Sequence, residues 1–354
     1  VEGWGEGQIR AVYGHYCALP DDYPWEAMPT DPKVRKKLRP LGLHSDDTQQ
    51  ALALLLVSFE GSSWDNERYA KLLCAGMRQG AWRGFGRNFQ SAVHKLSKAS
   101  PAERAGSSSA GIGAAMRVAP LGARYHDEPE LLARAVLSSS FTTHGDIQAG
   151  AIAYAVAWSV ARLVAGESAE EVRRQLPAEV ERIETEWLDG HAHWTIDRRA
   201  KHIISEGLAA LEARAPASFE ELRQAISTIA KPHLADGFTK AHPNQGFALL
   251  GGAHALWMAL WPKISPQDAL GEIIRQGYDT DTVAAIAGGI LGARVGASFV
   301  PVQRFVDADR LLRYADALAD GNSLPETESE FLARESALSQ EETAYQKRVL
   351  ARRV

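Results

Sequence analysis

Two acidic clusters, Ser45-Asp46-Asp47-Thr48 and Asp279-Thr280-Asp281-Thr282, are the segments of this chain best suited to chemistry. Each joins two carboxylates to small hydroxyls, and each stands at the mouth of a predicted helix. Carboxylate and hydroxyl oxygens are hard donors that suit hard divalent cations. One such cluster reads most simply as a helix N-cap, where Asp, Ser and Thr are favoured by capping bonds and the helix dipole. Two that resemble each other ask for more. Four carboxylates brought together repel and raise one another's pKa, so convergence predicts two divalent ions balancing the four charges. Ser and Thr hydroxyls would then serve as neutral ligands, leaving positions for water or substrate oxygens and a site open on one side.

The elements that must position these groups read as helices. Leu52, Leu55, Leu56 and Phe59 fall at i, i+3, i+4 and i+7 behind the first cluster, up to a stop at Gly61. Similar spacing recurs at Ala151, Tyr154, Ala155 and Trp158, and at Leu249, Ala253, Leu256, Trp257 and Leu260. No stretch alternates long enough to compel a strand. The expectation is an all-α fold: a single compact orthogonal helical bundle, residues 1–322, around a central two-metal site. Behind the second cluster, Gly288, Gly289 and Gly292 crowd one helix. Each glycine costs an exposed helix about 1 kcal/mol relative to Ala, so close packing at the bundle centre is predicted. Residues 323–354 place Glu326, Glu328, Glu330, Glu335, Glu341 and Glu342 before Lys347, Arg348, Arg352 and Arg353. That order suits a helix dipole, and the sparse apolar residues predict a charged helix that is peripheral or partner-facing.

The formal charge of -5 gives no reason to expect nucleic acid or an anionic membrane as partner. Trp82, Phe85 and Phe89, interleaved with Arg83 and Arg87, are expected to pack on the core. Cys17 and Cys74 are too few for a disulfide framework or a thiolate metal site, and a cytoplasmic location is expected. The apolar run from Val283 to Val300 is interrupted by Arg294, which favours a buried helix over a membrane span. His94, His242 and His254 lack metal-site spacing.

Ser45-Asp46-Asp47-Thr48 with its Leu-rich helix, and the segment from Gly277-Tyr278-Asp279 through Ala293, resemble the two signature segments of the ADP-ribosylglycohydrolases. Gly111-Ile112-Gly113-Ala114-Ala115-Met116-Arg117 is similar to the family's Gly-Asn-Gly-x-x-Met-Arg loop, and Thr143-His144 to its Thr-His pair. The resemblance runs from Glu2 to Pro301. It implies two Mg2+ ions, with Mn2+ as the alternative, held by Ser45, Asp46, Asp47, Asp279, Asp281 and Thr282. It implies that Gly111, Gly113 and Ala114 line the diphosphate of ADP-ribose, and that His144 and Tyr278 border the pocket. Thr143 and His144 suit N-terminal capping of the next helix equally well. Asp46, Asp281 or Glu2, the last matching an early family glutamate, would accept a proton from water. Ile112 replaces the family's Asn, and Tyr278 stands where many members have Gly.

The implied reaction is magnesium-dependent hydrolysis of the N- or O-glycosidic bond between ADP-ribose and an acceptor on a protein or small conjugate. Two alternatives use the same residues. One is a catalytically inactive protein of this fold that binds ADP-ribose or blocks an ADP-ribosyltransferase; the other is a two-metal phosphohydrolase acting on the diphosphate.

Overall fold

Apolar residues recurring at helical spacing bury one face while every interior backbone group finds a partner within its own helix. The computed structural model describes residues 2–14, 20–35, 37–59, 63–191, 194, 196–234 and 241–351. Cys17 and Gly61 lie outside the described residues. Among those described there are fifteen helices of six residues or more. The first seven are α1 (Glu6–Tyr13), α2 (Asp46–Ser58), α3 (Asn66–Gln79), α4 (Arg87–Ser97), α5 (Ala119–Arg124), α6 (Pro129–Phe141) and α7 (Ile147–Val164). There follow α8 (Ala169–Arg182), α9 (Ile203–Arg214), α10 (Phe219–Ala230), α11 (Ala253–Leu260), α12 (Pro266–Gln276), α13 (Thr280–Val295), α14 (Ala308–Asp320) and α15 (Glu328–Ala351). The fold is all-α. Extended pairing among the described residues is limited to isolated bridges, including Gly5 with Gly277, Ser107 with His144, and Gly111 with Phe247. Each of these three joins loops that carry predicted site residues.

At the centre runs α7, buried at nearly every position and packed by α5, α6, α8 and α13. By length and composition alone it could cross a membrane, yet it is enclosed as a core helix. Small residues let its neighbours come near: a Cβ on Gly122 of α5 would lie 2.3 Å from the Ala157 carbonyl oxygen. The glycines of α13 answer the prediction only in part. A Cβ on Gly289 would stand 2.7 Å from Ala119 Cβ, whereas Gly288 and Gly292 meet nothing within 4 Å. Close packing therefore explains one of them. At its far end α13 is fastened by Arg294, whose guanidinium donates to the carbonyls of Ala259, Trp261 and Ile264.

One face of α15, the charged helix at the C-terminal side, packs on the core. Phe331, Leu332 and Leu338 are buried, and Val349 joins Trp4, Ile9, Met28 and Leu38 in a second, smaller cluster. Trp82 packs edge-on against Phe89 at 5.7 Å and near Phe331 at 6.1 Å, so the aromatic run of that loop faces inward as expected.

Candidate functional site

Ser45 is the N-cap of α2, but its hydroxyl donates to Asp47 Oδ2 at 2.5 Å and makes no capping bond. Asp46 and Asp47 form the first turn of α2. Asp279 is the N-cap of α13 and likewise makes no side-chain capping bond; Thr282 instead hydrogen-bonds its carboxylate. Capping therefore leaves both clusters unexplained.

Because α2 packs on α13, the clusters face each other. Burial, and then repulsion from Asp47 and Asp281, raises the pKa of Asp46; burial and Asp281 raise that of Asp47. Asp279 is raised by burial, then by Asp281, Asp47 and Glu2. Asp47 Oδ1 and Asp281 Oδ1 are buried without hydrogen-bond partners. A cavity of about 560 Å³ borders Glu2, Ser45, Asp47 and Asp281. Among the described residues no three His, Cys, Asp or Glu side chains form a closed coordination group. Orphaned carboxylate oxygens, mutual repulsion and hydroxyl neighbours nevertheless form a donor set that fits hard divalent cations, which would satisfy the oxygens and cancel the repulsion.

Glu2 reaches this site through backbone pairing. Gly3 N–H donates to Tyr278 O and Tyr278 N–H to Trp4 O, both at 2.7 Å. The approach needs glycine at 277: φ is +75°, and a Cβ there would lie 2.0 Å from Trp4 O. Tyr278 itself has φ +65°, a conformation that costs a non-glycine residue about 1–3 kcal/mol and tends to persist at functional sites. Its ring is 37% exposed and stacks on His242 at 4.0 Å. Glu2 is largely exposed, yet its pKa is raised by lost solvation and then by Asp281. Beneath the turn, buried Asn244 donates to the Ile273 and Gly277 carbonyls at 2.7 and 2.9 Å. Its backbone oxygen accepts from Asp279 N–H at 3.0 Å, and its Oδ1 pairs with His254 Nδ1 at 2.8 Å.

The glycine loop and His144 adjoin the second cluster. A Cβ on Gly113 would lie 2.9 Å from His144 Cε1, one on Gly111 3.5 Å from His144 Cδ2, and one on Gly246 2.6 Å from Asp279 Oδ2. His144 is not the cap of α7, because Asp146 accepts from Gln148 N–H in that role. Its Nδ1 pairs with the Thr143 hydroxyl at 2.9 Å, which accepts from Arg117 Nη2 at 2.7 Å. Arg117, fully buried, also donates to Gln50 Oε1, and Gln50 Nε2 donates to Asp46 Oδ2 at 3.2 Å. One polar chain thus links His144 to the first cluster. Burial, helped by Arg117, lowers the His144 pKa to about 3, so the ring is neutral near pH 7.

Two side chains of this loop face inward. Ala114 is fully buried, so its side chain offers no surface to a ligand. Ile112 is 2% exposed and packs under Gly251 and Gly252, so the position occupied by the family's Asn here faces the core. Gln50, Arg117 and Asn244 escaped the sequence reading. Arg117 does end the Gly111–Arg117 motif, and a charged residue between apolar neighbours was the available signal.

Comparison with known proteins identifies the family. The family profile described as ADP-ribosylglycohydrolase matches residues 1–328. An uncharacterised protein of Archaeoglobus fulgidus is 26% identical over 280 residues, 78% of this chain and 79% of that protein. A solved structure titled ADP-ribosylglycohydrolase-related protein complex shares the fold with a TM-score of 0.54 at 20% identity, over 96% of this chain and 95% of that one. With its profile match spanning nearly the full length, the chain belongs to the ADP-ribosylglycohydrolase family.

Proposed function

We propose that this glycohydrolase family member is a divalent-cation-dependent enzyme that releases ADP-ribose from a modified acceptor. The carrying observation is the convergence of Asp46, Asp47, Asp279 and Asp281 from two helix N-termini that do not use them as caps. Ser45, Asp46, Asp47, Asp279, Asp281 and Thr282 would hold two magnesium ions, with manganese as substitute. Bound there, such ions supply positive charge that fixes ribose hydroxyls and acidifies water.

The chain's own groups account for the rest. Water adds to C1 of the distal ribose as the bond to the acceptor nitrogen or oxygen breaks; that atom keeps the bonding pair and takes up the proton drawn from the water, so the acceptor leaves intact. Glu2, beside Asp281, accepts the water's proton, and its raised pKa brings it nearer the operating pH than a free carboxylate. Asp46 and Asp281 orient the same water. Gly111 and Gly113 let the loop backbone lie against His144, where a diphosphate would bind; neutral His144 offers a hydrogen bond without a charge, and the open face of Tyr278 offers stacking.

Gly113→Ala should push His144 aside, raising KM about tenfold, a loss of about 1.4 kcal/mol, with little change in Tm. Steady-state kinetics beside a melting curve would check it; an unchanged KM removes the glycine loop from the binding site. The function itself is tested with arginine-linked and serine-linked ADP-ribosyl substrates, with MgCl2 or EDTA. Free ADP-ribose plus intact acceptor, lost in EDTA, is expected. AMP plus ribose phosphate, or binding without product, overturns the assignment.

A further inference from the structure

The family profile ends at residue 328, where α15 begins. Yet α15 sends a fully buried carboxylate, Glu335, under the first acidic segment. Its oxygens meet His44 Nε2 at 3.2 Å, and Gln49 Nε2 at 2.7 Å. They also accept from Arg83 Nη2 at 2.8 Å and Arg310 Nη1 at 2.6 Å. His44 and Gln49 bracket Ser45-Asp46-Asp47-Thr48 on either side. Arg83 closes the frame, donating its Nε to His44 O at 2.9 Å and its N–H to Gln49 Oε1 at 3.0 Å. The next residue, Gly84, lies against Asp46: a Cβ there would stand 3.1 Å from Asp46 Oδ1.

We propose that Glu335 is a positioning residue: from a helix outside the family-matched segment, it holds Ser45, Asp46 and Asp47 in register with Asp279 and Asp281. The functional half of this proposal rests on the divalent-ion assignment above. A carboxylate that receives four side chains from three separate stretches of chain fixes their mutual distances, as partners behind metal ligands do elsewhere. Helix α15 is therefore part of the site's framework even though it contributes no group to the cavity floor.

The test compares full-length wild type with Glu335→Gln by hydrogen–deuterium exchange and by Mn2+ titration followed by electron paramagnetic resonance without substrate. Exchange should quicken at residues 44–50 and 81–84 while α7 keeps its protection, and Mn2+ affinity should fall about tenfold. Should Glu335→Gln fail to fold, Glu335→Asp keeps the charge but shortens its reach, and the same local quickening is expected. Unchanged exchange at 44–50 in a folded variant overturns the proposal, as does quickening spread evenly over α7. A wild type without Mn2+ affinity refutes the divalent-ion assignment instead, and the exchange comparison still decides whether Glu335 positions the segment.

Discussion

Replacing Asp281 with asparagine should remove most turnover and, at the same time, make the ion-free protein harder to unfold. Asp281 is the carboxylate that the pKa shifts of Asp46, Asp47, Asp279 and Glu2 have in common. Its Oδ1 is buried without a partner. Asparagine keeps the shape and removes the charge, so the neighbours ionise at less cost. Relief of such functional strain is commonly worth about 0.5–2 kcal/mol. If Asp281 is a ligand as proposed, the same change removes an anionic donor, and a loss in kcat/KM on the order of 100-fold or more is expected. Melting curves in EDTA and kinetics in MgCl2 measure the two effects separately. A variant that melts no higher in EDTA and turns over normally would show that Asp281 neither repels nor binds.

Without divalent ions the protein should lose stability as pH rises. The folded-state pKa values of Asp46, Asp47 and Asp279 are raised, so the native state binds more protons than the unfolded chain above the ordinary Asp pKa of about 4. Stability then falls with pH across the window in which these groups ionise. Divalent ions favour the charged forms and reverse the slope. The gain in Tm on adding MgCl2 should therefore be small near pH 5 and large near pH 8. At about 100 times Kd it corresponds to about 2.7 kcal/mol. Scanning fluorimetry across pH, with MgCl2 or EDTA, measures it. A gain that is the same at both ends would contradict a repelling carboxylate cluster, and Asp281→Asn should flatten the EDTA profile.

What could be read from the sequence was local in origin. Leu52, Leu55 and Leu56 announced α2 because a helix repeats its inner face within two turns. The acidic pairs were visible because two carboxylates beside hydroxyls are conspicuous wherever they stand, and Glu2 came through the family resemblance. Groups that act across the chain left no such mark. Glu335 is 291 residues from His44, and its surroundings read as a charged helix, peripheral or partner-facing. Asn244 clamps the Gly277–Asp279 turn from a Pro-Asn-Gln-Gly stretch that resembles any surface loop. The side on which Ile112 packs, and the open surroundings of Gly288 and Gly292, depend on which helices become neighbours, which periodicity within one helix does not encode.

The two halves of the acidic centre are more than 230 residues apart along the chain. During synthesis Asp46 and Asp47 leave the ribosome on the order of tens of seconds before Asp279 and Asp281 exist. Throughout that interval the early pair faces only water, and its helix can form unopposed. Electrostatic opposition arises only when the second half docks, so a divalent ion bound there, as proposed, would favour that docking step.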